Sequence, residues 1–227
     1  MNITSYILVT GGSGGIGSAL CKLLPERGFA PIVGYHVNKA MAETIARECN
    51  GFTLKIDMGS EESVKEALDQ LSNELSVGQN LSGVVLAASP PPELLSFGKL
   101  TAEILLNQFR VNVLGPQVLL SGLIKAFFKN KRSGFVVGVL SKAIGNETQP
   151  PMTGMGGYII SKMALRGMLS LCAAEYPWLK VSTISPGFTK TRMLDVFDKR
   201  YLDLAQEKTQ FASAEDVARQ ILNEIQI

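Results

Sequence analysis

Short, nearly continuous apolar runs alternate with amphipathic stretches along almost the whole chain, and this alternation restricts the fold more than any single motif does. Residues 6–9, 30–35, 52–56, 81–88, 135–140 and 181–184 read as strands, and residues 16–27, 39–48, 61–75, 102–128 and 158–174 between them as helices. In residues 61–75 the apolar Val64, Leu68, Leu71 and Leu75 recur at helical spacing. Strands that are apolar on both faces belong in a sheet covered on both faces, which is the parallel arrangement. Alternating strands and helices build βαβ units. The expected fold is α/β, a doubly wound parallel sheet of six strands with helices on both faces. Pro90-Pro91-Pro92 breaks the pattern after the fourth strand, and Gly115-Pro116 is where the long helix would adjust. The tail holds one or two helices, with Ser213-Ala214-Glu215-Asp216 as a cap and first turn.

The 227 residues suit one such unit spanning 1–227, since folds of this class run to roughly 200–250 residues as a single domain. Apolar residues make up 46% of the chain, enough for a sizeable core. A net charge of +2 without a basic stripe gives nucleic-acid binding no electrostatic support. The densest positive cluster, Lys125, Lys129, Lys131 and Arg132, reads as the solvated last turn of a helix. Cys21, Cys49 and Cys172 are isolated, so neither a disulfide framework nor a zinc site is expected, and a reducing, cytoplasmic setting fits. The first strand-like run starts within a few residues of the N-terminus, which leaves no signal peptide to expect. No apolar run reads as long enough to span a bilayer, so no membrane partner is expected. His36 is the only histidine, which argues against a histidine-based triad and most zinc hydrolase chemistry. No metal is expected.

Thr10-Gly11-Gly12-Ser13-Gly14-Gly15-Ile16-Gly17 lies between the first strand and the first helix. Glycine lets backbone turn tightly and approach a ligand, and a helix N-terminus offers unpaired N–H groups to phosphate. The spacing is Gly-x-x-x-Gly-x-Gly, and a flexible turn in a glycine-rich chain is the alternative reading. At the end of the second strand, Gly34-Tyr35-His36-Val37-Asn38-Lys39 carries no acid. A carboxylate there would favour NAD, so its absence favours NADP(H); Lys39 is either a phosphate contact or a solvated residue of the next helix.

Tyr-x-x-x-Lys occurs three times, at Tyr35/Lys39, Tyr158/Lys162 and Tyr176/Lys180. The first straddles a strand end. The third is followed by Pro177, which disfavours a helical Tyr176. Only Tyr158 opens an uninterrupted helical run in which i and i+4 share a face. An ammonium beside a phenol lowers its pKa from about 10 and allows it to exchange a proton with a substrate oxygen. On spacing alone, a helix-start tyrosine with a solvent-facing lysine reads as well.

With these residues in order, the chain resembles the short-chain dehydrogenase/reductase family in its single-domain form, over nearly its whole length. Thr10-Gly11-x-x-x-Gly15-Ile16-Gly17 matches the family's cofactor loop, Asp57 its adenine-contacting aspartate, and Asn112 the asparagine of its central helix. Ser141 matches the catalytic serine, Tyr158 and Lys162 the catalytic pair, and Pro186-Gly187-Phe188-Thr189-Lys190-Thr191 the Pro-Gly-x-x-x-Thr segment. The resemblance implies a Rossmann-type fold and an NAD(P)(H)-dependent oxidoreductase acting on a carbonyl or secondary alcohol. It implies Tyr158 as general acid or base, Lys162 lowering its pKa and holding the nicotinamide ribose, Ser141 on the substrate oxygen, and Asn112 holding a water of the proton relay. Cofactor contacts are implied at Gly11, Ser13, Gly15, Ile16, Gly17, His36, Lys39, Asp57, Met58, Ala87, Ala88, Lys162, Pro186, Gly187, Phe188 and Thr191. Within the family, 3-oxoacyl-carrier-protein-type ketoreductases look nearest. A non-catalytic nucleotide-binding regulator of the same fold and a sugar-modifying relative are the alternatives.

Three departures stand out. Leu86-Ala87-Ala88-Ser89 replaces the family's Asn-Asn-Ala-Gly. The segment between Ser141 and Tyr158 is about four residues longer than usual, over 146–157, and could narrow or lid the site. The family's last strand and Gly-rich tail are not found before Ile227, so a homodimer through residues 102–128 and 158–174 is expected more than a tetramer. Substrate contacts are expected from 89–97, 143–157 and 193–201, which are apolar with few charges. A neutral or lipophilic ketone or a 3-oxoacyl thioester is the expected substrate.

Overall fold

The computed structural model describes residues 5–75 and 78–225. Six strands, β1 (Ser5–Thr10), β2 (Ala30–Tyr35), β3 (Phe52–Lys55), β4 (Asn80–Leu86), β5 (Phe135–Val139) and β6 (Lys180–Ile184), form one sheet. Their spatial order is β3-β2-β1-β4-β5-β6, and every pairing is parallel. The order reverses between β1 and β4, where Thr10 pairs with Leu86. In open α/β sheets ligands bind outside the carboxyl ends of the strands at such a switch point.

Successive side chains of a strand point to opposite faces, and the sheet uses this to feed two cores. Tyr6, Leu8, Ile32, Leu54, Val84 and Val136 join Val64, Leu71, Leu119, Leu123, Leu165 and Leu169 on one face. Ile7, Val9, Val33, Val85 and Val137 join Leu20, Ile45, Val217 and Ile221 on the other. Burying one such aliphatic side chain contributes roughly 1.5–3 kcal/mol. The first face is covered by α3 (Glu61–Glu74), the long central helix and α6 (Gly156–Glu175); the second by α1 (Gly15–Leu23), α2 (Lys39–Glu48) and α8 (Ala214–Glu224). The tail adds α7 (Lys199–Lys208), and α8 opens on a capping box in which Ser213 and Asp216 bond reciprocally. That is the cap the sequence predicts.

Several boundaries differ from expectation. The first helix ends at Leu23, and Leu24–Arg27 tightens into a 3-10 turn because Pro25 lacks an N–H. The helix carrying Tyr158 starts at Gly156 rather than at the tyrosine. Lys131 is exposed in the turn after the central helix, as expected, and its ammonium also donates to the Leu81 carbonyl at 2.7 Å and to the Asn80 side chain.

The central helix runs unbroken over Ala102–Phe128. It is α-helical at Ala102–Phe109 (α4) and Gly115–Leu123 (α5), with wider π turns at Arg110–Leu114 and Ile124–Phe128. Its length and composition would suffice to cross a bilayer, contrary to the sequence expectation. In the fold its inner face carries Gln108, Asn112, Leu119, Leu123 and Phe128 into the interior. The adjustment predicted near Gly115-Pro116 is the first π turn. A Cβ at Gly115 would lie 2.1 Å from the Met58 carbonyl oxygen, so only glycine fits. Pro116 has no N–H, so the Asn112 carbonyl four residues earlier lacks its ordinary α-helical donor. π turns of this kind often mark functional positions.

Candidate active site

The glycine turn after β1 is built by close approach. Gly11 has φ +68°, and a Cβ there would sit 2.9 Å from the Ala88 Cα. A Cβ at Gly17 would lie 2.2 Å from the Gly11 carbonyl oxygen, so α1 packs directly on the turn. At Gly15 a Cβ would meet the Thr191 methyl at 2.4 Å. Gly15 and Thr191, distant in sequence, are therefore in contact. The Gly14 cap makes no side-chain bond, and the first helical bond is from the Ser18 N–H to the Gly14 carbonyl at 2.8 Å. Among the described residues, the N–H groups of Gly15, Ile16 and Gly17 find no partner, and Ser13 sits in the turn just before them. A cradle that no side chain fits, lined by free N–H groups at a helix N-terminus, suits a pyrophosphate.

Thr10 holds the neighbouring strand end in place. Its hydroxyl accepts from the N–H groups of Ala87 and Ala88 at 3.1 and 3.2 Å and donates to the Val85 carbonyl at 3.4 Å. The replaced segment Leu86-Ala87-Ala88-Ser89 thus keeps its backbone anchor, because that anchor needs only main-chain N–H groups.

At the other end of the switch point, sequence-distant groups meet. His36 Nε2 lies 3.5 Å from an Asp57 carboxylate oxygen. The other Asp57 oxygen accepts from the Gly59 N–H at 2.8 Å, and the Asp57 N–H donates to the Ser63 hydroxyl at 3.0 Å. Lys39 is exposed and pairs at 3.5 Å with Glu43, one turn along α2. The acid-free segment in the sequence therefore has two carboxylates beside it in space. The Met58 side chain is buried in the core, so only its backbone is left to line this end.

Tyr158 and Lys162 lie one turn apart on α6, and both are buried: 7% and 2% of their surfaces are exposed. The solvent-facing reading of Lys162 is thereby excluded. Its ammonium donates to the Val139 carbonyl at the end of β5 at 2.9 Å and sits 5.8 Å from the Tyr158 ring centre. The phenol lies within the hydrogen-bonding influence of the Ser141 side chain, which lowers its pKa. The Ser141 hydroxyl in turn accepts the Ala143 N–H at 3.1 Å, which fixes it at the mouth of the following turn. Of the other two Tyr-x-x-x-Lys pairs, Tyr35 ends β2, and Tyr176 caps α6 with φ −124° and ψ 73°, outside the helical region.

Electrostatics here differs from the sequence expectation. Burial pushes the Tyr158 phenol above its ordinary value, and the Ser141 hydrogen bond opposes this. Burial pulls the Lys162 ammonium down to about 7. The expected acidification of the phenol does not appear. Desolvation dominates, and the ammonium is committed to the Val139 carbonyl. At neutral pH the phenol carries its proton, as a proton donor must.

Asn112 is joined to this centre through two residues that the sequence does not single out. Its Nδ2 donates to Gln108 Oε1 at 3.1 Å and to Ser161 Oγ at 3.0 Å. Ser161 Oγ donates to the Tyr158 carbonyl at 2.8 Å. Gln108 Nε2 donates to the Pro91 carbonyl at 2.8 Å. A signal was available: a glutamine four residues before Asn112 on the inner face of an apolar helix is a polar group that needs partners.

The three segments expected to face substrate, 89–97, 143–157 and 193–201, follow β4, β5 and β6 in the chain. The long 146–157 stretch is pinned rather than loose. Asn146 Oδ1 accepts from the N–H groups of Thr148 and Gln149, the Met152 N–H donates to the Ala143 carbonyl, and the Leu95 N–H donates to the Gly154 carbonyl. Pro186 is buried, and its carbonyl accepts the Lys142 N–H at 2.8 Å beside the exposed Gly187. Phe188 stacks on Phe211 at 4.9 Å and meets Phe197 edge-on at 5.7 Å, while Phe197 stacks on Tyr201.

The family model described as short chain dehydrogenase matches residues 5–201. A 3-oxoacyl-[acyl-carrier-protein] reductase of Bos taurus is 27% identical over 215 residues, covering 93% of this chain and 86% of that protein. Two solved structures share the fold. A 3-ketoacyl-(acyl-carrier-protein) reductase from Brucella melitensis complexed with NADH superimposes with a TM-score of 0.83 at 20% identity, covering 96% of this chain and 89% of that one. An angucycline C-6 ketoreductase with bound NADP gives 0.81 at 20% identity, covering 97% and 88%.

Proposed function

The chain belongs to the short chain dehydrogenase family and is an NAD(P)-dependent oxidoreductase, and on that premise we propose that it interconverts a ketone and a secondary alcohol with Tyr158 as the proton donor. The carrying observation is the buried cluster at the end of β5. There the buried phenol of Tyr158 lies by Ser141, and the buried Lys162 lies one turn along the same helix, bonded to the Val139 carbonyl. When bound, the nicotinamide supplies or takes the hydride. The free N–H groups of Gly15, Ile16 and Gly17 hold its pyrophosphate, and Pro186, Gly187, Phe188 and Thr191 line its nicotinamide end.

In reduction, Tyr158 gives its proton to the carbonyl oxygen as charge develops there. The Ser141 hydroxyl steadies the same oxygen. Lys162 holds the nicotinamide ribose, and its ammonium, once charged, favours the phenolate that remains. Asn112 holds a water that returns a proton to Lys162. Oxidation runs the same transfers backwards.

A neutral or lipophilic ketone or a 3-oxoacyl thioester fits the pinned 146–157 stretch and the Phe188/Phe197/Tyr201 aromatics. Exposed Leu106, Leu114, Met163 and Leu171 on the two long helices support a homodimer. The free thiols of Cys21, Cys49 and Cys172 suit a cytoplasmic setting. A panel of ketones and 3-oxoacyl thioesters, run with NADPH and with NADH, tests the reading. Oxidation of cofactor with at least one of them supports it, and cofactor binding without any turnover favours a regulatory protein instead.

Two predictions concern the cofactor. NADP(H) is the preferred form, with Lys39 leaving Glu43 to meet the 2′-phosphate. Lys39→Ala is expected to weaken NADPH binding roughly 5- to 10-fold, about 1 kcal/mol for an exposed charged contact, and to leave NADH binding unchanged. Equal effects on both cofactors in calorimetric titration would remove Lys39 from phosphate recognition. Gly15→Ala places a methyl against Thr191, whose β-branched side chain has little rotamer freedom. Binding of either cofactor is expected to weaken about 10-fold, since one Cβ displaces both the turn and Thr191; unaltered affinity would show that the contact yields freely.

A further inference from the structure

Gln108 lies one turn before Asn112 and is almost fully buried, with 2% of its surface exposed. Its Cγ packs beside Gly157, where an added Cβ would sit 3.5 Å away. Its two polar ends have different neighbours. One is the Pro91 carbonyl, which can only accept a hydrogen bond, so the end facing it must be the NH2 group. The carbonyl end of Gln108 is then turned toward Asn112, and Asn112 must present its own NH2 to it. That same NH2 donates its second hydrogen to Ser161, whose proton is already given to the Tyr158 carbonyl. A flipped Asn112 would set its oxygen against Gln108 Oε1 and would have to draw the Ser161 proton away from the Tyr158 carbonyl. The direction of every bond in the series thus follows from one backbone carbonyl in the proline run after β4.

The consequence is an acceptor without a donor. Asn112 Oδ1 is buried and has no hydrogen-bond partner among the described residues. A buried polar atom left in this way needs a reason. Here the reason is that the amide is held with its oxygen free.

We propose that Gln108 is a positioning residue for the reaction: it locks the Asn112 amide in the orientation that leaves Oδ1 free to accept from a water or an ammonium, and it ties the Pro90–Pro92 segment to the helix carrying Tyr158 and Lys162. This rests on the catalytic reading of Tyr158, Lys162 and Asn112 given above. Gln108 touches neither substrate nor cofactor in this assignment. It acts through Asn112.

Two variants separate positioning from packing. Gln108→Met keeps the stem and removes both hydrogen bonds. Gln108→Glu keeps the shape, but its behaviour depends on a proton. As a neutral acid, it donates to the Pro91 carbonyl and accepts from Asn112, as glutamine does. As a carboxylate it faces the Pro91 carbonyl with an acceptor, and burial raises its pKa. Tyr158 and Lys162 are the buried titratable groups of α6, against which Gln108 packs at Gly157; Glu103 and Arg110 on its own helix and Glu93 in the proline loop are exposed.

Turnover and side-chain amide exchange are measured across pH, with the cofactor dissociation constant and melting temperature as controls. For Gln108→Met, kcat is expected to fall roughly 10- to 100-fold at every pH, the scale of a small misplacement at a reacting centre. Cofactor affinity should stay unchanged, and the Asn112 amide hydrogens should exchange faster. For Gln108→Glu, kcat and amide protection are expected to recover toward wild type as pH falls and to be lost as the carboxyl ionises, adding a titration absent from the wild-type profile. A Gln108→Met protein with wild-type kcat and unaltered Asn112 protection overturns the proposal, as does a Gln108→Glu protein whose profile gains no new titration. If the wild-type protein turns over no substrate, the catalytic reading fails by itself, and amide exchange in the two variants still decides whether Gln108 orients Asn112.

Discussion

Lys162→Met is expected to raise the melting temperature of the ligand-free protein and to abolish its turnover. The amine is fully enclosed, and burial lowers its pKa from 10.5 to about 7. In the unfolded chain the same amine stays charged until about 10.5. Between these values the unfolded state binds more protons, so stability rises with pH through that window. Below about 7 the folded protein carries the whole cost of an enclosed ammonium. Each pKa unit corresponds to about 1.4 kcal/mol, and losing the bond to the Val139 carbonyl offsets about 1 kcal/mol of the gain. A net stabilisation of roughly 2–4 kcal/mol at pH 6 follows, or about 5–15 °C for a chain of this size. At pH 9 the folded amine is already neutral and the gain should be smaller. Thermal unfolding of both proteins at the two pH values checks this. A variant that melts lower at pH 6, or equally higher at both, would show that the ammonium is not a burden to the fold. Residues kept at a cost to stability are characteristic of functional sites.

Tyr158→Phe is expected to lower kcat by roughly 10³-fold, within the 10²–10⁴ that a positioned proton donor contributes. The ring remains and continues to fill its place between Ser141 and Lys162, so the fold is kept. Cofactor affinity should change less than about threefold, because the phenol lies by Ser141 at the end of β5 and not at the glycine turn. The change should appear in kcat, with kcat/KM falling in parallel, the pattern of an interaction made only in the transition state. Transient kinetics with saturating cofactor measures it. Retained activity would move the proton source to another group, and Ser141 is the nearest.

Most of the scaffold could be read from the chain because its signals are local. A strand buried on both faces, such as residues 6–9 or 135–140, has to be apolar throughout. A turn as tight as Gly11–Gly17 admits little but glycine. Pro177 after Tyr176 disqualifies that pair without reference to anything distant. What could not be read depends on groups that meet only in space. The contact of Gly15 with Thr191 joins the first turn to a segment beyond β6. The Asp57 carboxylate beside His36 arrives from the strand end next door, so an acid-free sequence segment has an acidic neighbour. The direction of the Tyr158 shift depends on how completely the site is enclosed. Gln108 looked like one more helix residue, because its role needs both the π turn that sets Asn112 and a proline carbonyl from another segment.

The central claim is that hydride and proton reach the two ends of one carbonyl group, the proton from Tyr158. The most direct measurement supplies NADPH deuterated on one face of the nicotinamide C4, with ketones and 3-oxoacyl thioesters, and reads the product by mass spectrometry. The account predicts an alcohol carrying one deuterium at the former carbonyl carbon, from only one of the two labelled faces, with formation slowed at least a hundredfold in Tyr158→Phe. Bound NADPH that transfers no deuterium to any of these substrates, or transfer that proceeds equally well without the phenol, would contradict it.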